Sequence, residues 1–478
     1  MEGVALQVPD AGSKPAGFGK TCIMAKTLEQ KLCSRSLGYS FVRNVFVRPT
    51  LRLFYRNIDV IGAKEVPDSG PVIFTPNHQN ALMDALMILC TKDRQPVFVA
   101  RADIFEKPLI IAILNFLRIL PVYRKRDGGN SGDNNRETFD LILKTLRSRQ
   151  AVGMMPEGTH SVIKRLRMLQ KGVFRLAMQA QEEYGSRPMV RIVPVGLEYS
   201  DTGKFRSDVT VRYGKAIEVS DFYGQYVENP ARAFKHMQDV LSEKMKEGMV
   251  NITGEPYYRE IERLRVLYLR QAMQRLGLDR HNAEHRLRAQ QTMIAALQEY
   301  GQTNPDGMSA LCLAVREYLT IIQKYSLRDW VVERQPYSLA GLLVQAVWIV
   351  PGIPFWILGM LFNYIPYKLS ALASRKVKDP QFVSSVQFVA GMVAYPLYDL
   401  IMIVLMAVFV PCIWGKIIMP LLLIPLGLFA YQWYLAIKKL GARFRFWSGK
   451  RNQNPEILKA VEWRKKIFEI MDRLEIRS

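Results

Sequence analysis

"PVIFTPNHQNALMDAL", residues 71–86, changes character halfway along. Val72–Thr75 is a short apolar run rich in β-formers, Pro76–Asn80 is a polar turn, and Ala81–Leu86 opens an apolar run too long and too Ala/Leu-rich for a strand. A strand that ends in a turn and feeds a helix is the repeating joint of α/β layers. The joint recurs. Further β-rich runs at "PVFVA" (96–100), "ILPVY" (119–123), "AVGMM" (151–155), "VRIVPVG" (190–196) and "DVTVRYG" (208–214) alternate with helical stretches at 81–91, 107–117, 135–148 and 168–183. This order predicts an α/β fold with a mostly parallel sheet flanked by helices, in which ligands gather at the carboxyl ends of the strands.

The first joint also carries titratable groups. Asn80 reads as the N-cap of the following helix, Asp84 falls in its first turn, and His78 lies in the turn ahead of it. On one continuous helix, residues six apart would sit about 240° apart, so contact requires His78 to be off the helix. Asp84 then accepts the imidazole Nδ1 hydrogen and Nε2 is left as a base that removes a hydroxyl proton. Taken alone, a histidine in a polar turn is more often structural. Three later strand ends add to it. "PVYRKRDGG" (121–129) offers Arg124, Lys125 and Arg126 to a phosphate, and "MMPEGTHS" (154–161) offers turn amides and the Thr159 hydroxyl to an anion. "RIVPVGLEY" (191–199) places Pro194 inside a β run, which implies an edge or bulged site.

The remainder of the 478 residues bounds the setting. Lys and Arg number 66 against 43 Asp and Glu, a surplus of +23 that calls for an anionic partner. Nucleic acid is not that partner on this reading, because no aromatic-interleaved or groove-reading element accompanies the charge. Five scattered cysteines without CxxC spacing support neither a disulfide framework nor a zinc site. Residues 335–367 contain no charged side chain and 400–437 contain only Lys416, runs long enough to enter a bilayer.

The chain therefore divides into a flexible leader (1–38), an amphipathic membrane-surface segment (39–68), an α/β domain (69–229) and an accessory helical region (230–334). A re-entrant or transmembrane hairpin (335–367), a transmembrane hairpin (384–437) and a basic tail (438–478) follow. In the surface segment Arg43, Arg48, Arg52 and Arg56 are expected in the headgroup layer. In the first hairpin, "VPGIP" (350–354) is expected to leave two helical pieces too short to cross. Basic flanks on both hairpins place their ends, and the α/β domain, on the cytosolic side.

In order and position, "NHQNALMD", "PVYRKR", "PEGTHS" and "IVPVG" resemble the four motifs of the glycerolipid acyltransferases, the glycerol-3-phosphate and lysophosphatidic acid acyltransferase family. The resemblance implies His78 as general base, Asp84 as its orienting partner, Arg124 as phosphate ligand, Glu157 and Gly158 in the acceptor site, and Pro194 in the fourth motif. It also implies transfer of an acyl group from an acyl thioester, on coenzyme A or an acidic acyl carrier protein, to the hydroxyl of a phosphorylated glycerol or another lysolipid among membrane lipids. No further cofactor or metal is implied. Two departures stand out: five residues separate His78 from Asp84 where the family usually has four, and His160 follows Thr159 where an arginine is usual. Both motivate an alternative, a membrane lipid-binding protein without turnover.

Overall fold

Val72–Pro76 is buried at every position because it runs through the middle of a sheet covered on both faces. In the computed structural model, which describes residues 28–105, 108–123, 131–253, 256–474 and 476, that strand is one of eight in a single mixed sheet. They are β1 (Asn57–Ile61), β2 (Val72–Pro76), β3 (Val97–Arg101), β4 (Ile119–Val122), β5 (Ala151–Gly153), β6 (Arg191–Tyr199), β7 (Asp208–Tyr213) and β8 (Ile217–Glu218). The order is β1-β7-β6-β2-β5-β3-β4, with β8 paired to β6. Strands β2 to β6 are mutually parallel, β7 runs antiparallel to β6, and β1 pairs parallel with β7. The sequence alternation thus translates into an α/β layer. Two strands escaped it: β1, which falls inside the expected surface segment, and the two-residue β8.

The side-chain period of two sorts β2 between two cores. Val72 and Phe74 join a cluster with the Leu82–Thr91 helix and Phe54, whereas Ile73 faces the Gly172–Gln181 and Pro230–Gly248 helices. A third core, separate from the sheet, joins helices between Tyr258 and Lys324 to Ala442, Phe446 and the Pro455–Arg473 helix.

The helices before β1 bury Tyr39, Arg43 and Leu51 and expose Leu37, Phe41 and Val45. Contrary to expectation, Arg43 and Arg48 do not face outward. Their guanidiniums donate to the carbonyls of Arg94 and Cys90, at and just beyond the end of the Leu82–Thr91 helix, where unpaired carbonyls attract cations.

Three helical segments, Leu339–Arg375, Pro380–Phe409 and Ile413–Arg451, are long and apolar enough to cross a membrane. "VPGIP" forms one tight 3₁₀ turn, and Pro354 lies in the first turn of a 23-residue helix, Ile353–Arg375, where a missing N–H is harmless. The two short pieces expected there are therefore replaced by a segment of crossing length. The Ile349 carbonyl accepts from Trp433 Nε1, and Ser374 Oγ accepts from Gln387. Val331 and Val332, just before the apolar region, share a core with Ala442 and Phe446 near its end.

Candidate active site

Strand β2 ends at Pro76, the bend that follows carries Asn77, His78, Gln79 and Asn80, and Asp84 lies in the first turn of the Leu82–Thr91 helix. Asn77 is fixed by a reciprocal pair with the backbone of Leu197 on β6: its Nδ2 donates to the carbonyl at 3.1 Å and its Oδ1 accepts from the amide at 2.6 Å. The next residue is His78. Its Nδ1 lies 2.8 Å from Asp84 Oδ2, with the imidazole side chain 17 % exposed and the carboxylate fully buried. Asp84 Oδ2 also accepts the amides of Gln79 and Asn80, at 2.9 and 2.8 Å, and Oδ1 accepts the Tyr199 hydroxyl at 2.8 Å. With four donors, the buried carboxylate needs no solvent to satisfy its oxygens. Burial, followed by the Asp84 charge, raises the Tyr199 hydroxyl well above the ordinary tyrosine range, so it stays a donor.

The extra residue between His78 and Asp84 is absorbed at Ala81. Its φ is 44° and ψ −120°, a left-handed conformation costly for a residue with a Cβ, and it, not Asn80, occupies the N-cap position without a side-chain cap. Asp84 takes over the capping chemistry by collecting the amides of the bend. Asn80 turns elsewhere: its Nδ2 donates to the Thr202 carbonyl at 3.3 Å and its Oδ1 accepts from Ser384 at 2.5 Å. Ser384 begins the apolar Val383–Phe409 helix.

The third motif meets the first directly. Glu157 is buried after β5; its Oε1 accepts the His78 amide at 2.9 Å, and Oε2 accepts the Arg167 amide at 3.2 Å. Burial raises the Glu157 carboxyl, and these two hydrogen bonds, with the neighbouring charges of His78 and Arg167, partly oppose it. Ser161 returns a bond to the His78 carbonyl at 3.0 Å. Gly158 adopts φ 67°, as glycine can, but its amide is spent on the Met155 carbonyl and is not offered to an anion. Thr159 is exposed and accepts from the Arg167 guanidinium at 2.7 Å.

Arg167 was invisible to motif reading because it lies eight residues beyond Thr159 and reaches the motif only through the loop's return. That return brings its guanidinium beside Thr159. Lys164, Arg165 and Lys171 were the nearer candidates in sequence. Lys164 is buried against Glu198 and the Tyr199 carbonyl, and Arg165 donates Nε to the Ile252 carbonyl. His160 instead lies edge-on to His78, ring centroids 5.3 Å apart, and Phe382 lies edge-on to His160 at 4.8 Å.

Pro194 is buried on β6, which is an interior strand and not the expected edge. It is tolerated because β8 pairs with β6 up to Ile192 and β7 from Val195 onward, so the proline faces the gap between them. Its carbonyl accepts from Gly214 at 2.9 Å. Arg124 and Arg126 lie outside the described residues.

A family model described as "Acyltransferase" matches residues 57–198, which begin on β1 and end one residue before Tyr199. Over these residues the chain is similar to the glycerolipid acyltransferases. Glycerol-3-phosphate O-acyltransferase 1 of Saccharomyces cerevisiae is 23 % identical over 278 residues, which cover 54 % of this chain and 36 % of the yeast protein. Glycerol-3-phosphate O-acyltransferase 2 of the same yeast is 34 % identical over 98 residues, 20 % of this chain and 13 % of that one. The matched region thus spans about a third or less of these curated relatives. A crystal structure of the 1-acyl-sn-glycerophosphate (LPA) acyltransferase from Thermotoga maritima overlaps 48 % of this chain and 88 % of its own, at 17 % identity and a TM-score of 0.33.

The accessory helical region, for which the sequence offered no role, is tied to the acyltransferase domain next to the site. Arg265 bridges Glu198, at 3.5 Å, and Glu262, at 3.3 Å, and donates to Gln290. The Lys164 amide donates to the Tyr258 hydroxyl at 2.8 Å, and the Ile252 amide to the Lys164 carbonyl at 2.7 Å. Glu198 directly precedes Tyr199.

Proposed function

We propose that the protein is a membrane O-acyltransferase that moves an acyl group from an acyl thioester to the hydroxyl of glycerol-3-phosphate or a lysophosphatidic acid. The observation that carries this reading is the His78–Asp84 contact, closed despite the longer spacing. With Nδ1 committed to Asp84, Nε2 is the nitrogen available to an acceptor hydroxyl at the exposed edge of the ring. It takes the hydroxyl proton as the oxygen attacks the thioester carbonyl; the tetrahedral intermediate then collapses, expelling a thiolate that takes up the proton from the imidazolium. Asp84, anchored by two amides and Tyr199, holds the ring and balances the transient imidazolium charge. General-base assistance is worth about 10²–10⁴-fold, and the rest of the acceleration comes from fixing the acceptor.

Arg167, pinned to Thr159, is the described cation best placed to hold an acceptor phosphate beside His78. The yeast relatives bear glycerol-3-phosphate in their names, which favours that acceptor. The three apolar segments and the Ser384–Asn80 bond support a site at which a water-soluble head and an apolar tail meet.

The test uses purified full-length protein in mixed micelles, an acyl-coenzyme A and a mixture of glycerol-3-phosphate, lysophosphatidic acid and zwitterionic lysolipids. Mass spectrometry identifies the product. Acyl transfer by wild type and not by His78→Ala is expected; binding of lipids without turnover by wild type would replace this reading with that of a lipid-binding protein.

A further inference from the structure

A concavity outside the His78 bend opens where the third-motif loop meets the accessory helices. It has a volume of about 470 Å³, within the range of sites for small ligands, and its walls include Ile163, Arg165, Tyr258, Arg259, Glu260 and Arg316. Three of these six are arginines. Arg316 is anchored by its Nε on buried Glu260, which orients the guanidinium. Arg259 is exposed and, among the described residues, makes no hydrogen bond or ion pair. In the same lining, Ile163 is 45 % exposed, and the Tyr258 ring is fixed by the bond from the Lys164 amide to its hydroxyl. Guanidiniums beside an aromatic and an aliphatic face suit a ligand that combines phosphates with a flat heterocycle.

We infer that this cleft binds the phosphorylated nucleotide end of a coenzyme A thioester, the acyl donor. The inference rests on the acyltransferase reading and adds the donor's identity to it. Position supports it. Ser161 bonds the His78 carbonyl and Ile163 is two residues further on, so the cleft wall begins within about 10 Å of the His78 backbone. In a glycerol phosphate the hydroxyl and the phosphorus are five bonds apart, roughly 6 Å, and a phosphate so tethered stays beside His78 and Arg167. In coenzyme A the pantetheine arm separates thioester from phosphates by on the order of 15 Å, which allows the carbonyl to reach His78 while the phosphates lie among the accessory arginines. A use for the accessory region follows: it completes the donor site.

The test is Arg259→Glu, a change at an exposed residue without partners that leaves the fold intact, with Arg316→Gln as a second variant. Binding of free coenzyme A to the full-length protein in detergent is measured by calorimetry in a His78→Ala background, so that turnover plays no part. Arg259→Glu is expected to weaken coenzyme A at least tenfold, with 3′-dephospho-coenzyme A showing a smaller difference between the two proteins. In the otherwise wild-type enzyme, the same substitution is expected to raise KM for acyl-coenzyme A by a similar factor, with kcat and the acceptor KM unchanged. Unchanged coenzyme A binding would overturn the inference even if the enzyme is active. An effect on acceptor KM alone would assign the cleft to the acceptor phosphate, and a donor effect seen only with acyl carrier protein would assign it to an acidic protein; either result overturns it too. Arginine-dependent coenzyme A binding by a protein without acyl transfer would leave this inference standing and remove the proposed reaction.

Discussion

Replacing Tyr199 by phenylalanine isolates one of the four bonds that hold Asp84. The hydroxyl is buried, 2.8 Å from Oδ1, and no other described donor reaches that oxygen. A hydrogen bond to a charged acceptor contributes about 1.5–3 kcal/mol, and here its loss leaves half a buried carboxylate unpaired. At about 2–4 °C per kcal/mol for a domain of this size, that corresponds to an apparent melting point lowered by roughly 3–12 °C at fixed scan rate. The rate should suffer far less, because Nδ1 and both amides remain on Oδ2, and a loss under tenfold in kcat is expected. Both effects should be flat from pH 6 to 9, since the Tyr199 hydroxyl is held above its ordinary value and remains protonated throughout. Asp84→Asn provides the contrast. The amide oxygen can face the three donors at Oδ2 while its nitrogen donates to the Tyr199 oxygen, so the protein should fold, yet without the negative charge kcat should fall about 10²–10⁴-fold. Thermal unfolding and initial rates on both variants decide it. If Tyr199→Phe melts with wild type, or loses as much rate as Asp84→Asn, Tyr199 does not act through Asp84 and the account is wrong.

Ala81→Gly should raise the melting point, because relief of about 1–3 kcal/mol of left-handed strain outweighs the 0.4–1 kcal/mol gained by the unfolded chain; a scan of the two proteins shows the sign. Ser384→Ala leaves Asn80 Oδ1 buried without its donor and should cost about 1–3 kcal/mol, read by the same scan. Glu157 has a folded-state carboxyl value above that of the unfolded chain, so its contribution is fully present below pH 4.5 and declines as pH rises through the raised value. The stability of wild type relative to Glu157→Gln should therefore fall as pH rises from 4.5 toward neutrality, as followed by denaturant titration; a difference that grows would contradict the burial argument. Arg167→Gln should raise acceptor KM with little change in donor KM, by steady-state kinetics with either substrate varied.

Local pattern exposed the parts of this molecule whose cause is local. Strands β2 to β7 announce themselves by short apolar runs bounded by turns, and Asp84's place in the first helical turn follows from the chain around it. β1 did not announce itself, because "NIDVI" continues directly from an Arg-rich amphipathic helix and becomes a strand only by pairing with β7, about 150 residues later. Asn80 looked like an N-cap and is not one, since the cap position was decided by where Asp84 had to point. The same limit hid Tyr199 and Arg167: one reaches the dyad from 115 residues away, the other through a loop that doubles back. Pro194 suggested an edge because the rule concerns a missing donor, and the gap between β7 and β8 meets that rule inside the sheet.

The dyad is also not free of the membrane part. Asn80 lies inside the His78–Asp84 bend, and its carbonyl oxygen is held by Ser384 in the first turn of an apolar helix; four residues on, Phe388 packs edge-on against Phe54 in the domain core. Phe382, just before that helix, ends the ring series His78–His160–Phe382. An insertion that tilts or withdraws the helix must therefore break a buried hydrogen bond at the bend, move a ring from above His160, or do both. Coupling between lipid environment and rate then needs no separate sensor: bilayers of different thickness should change kcat in wild type, and Ser384→Ala should reduce that dependence. If Ser384→Ala keeps the full thickness dependence, the bilayer acts through substrate presentation and not through this bond.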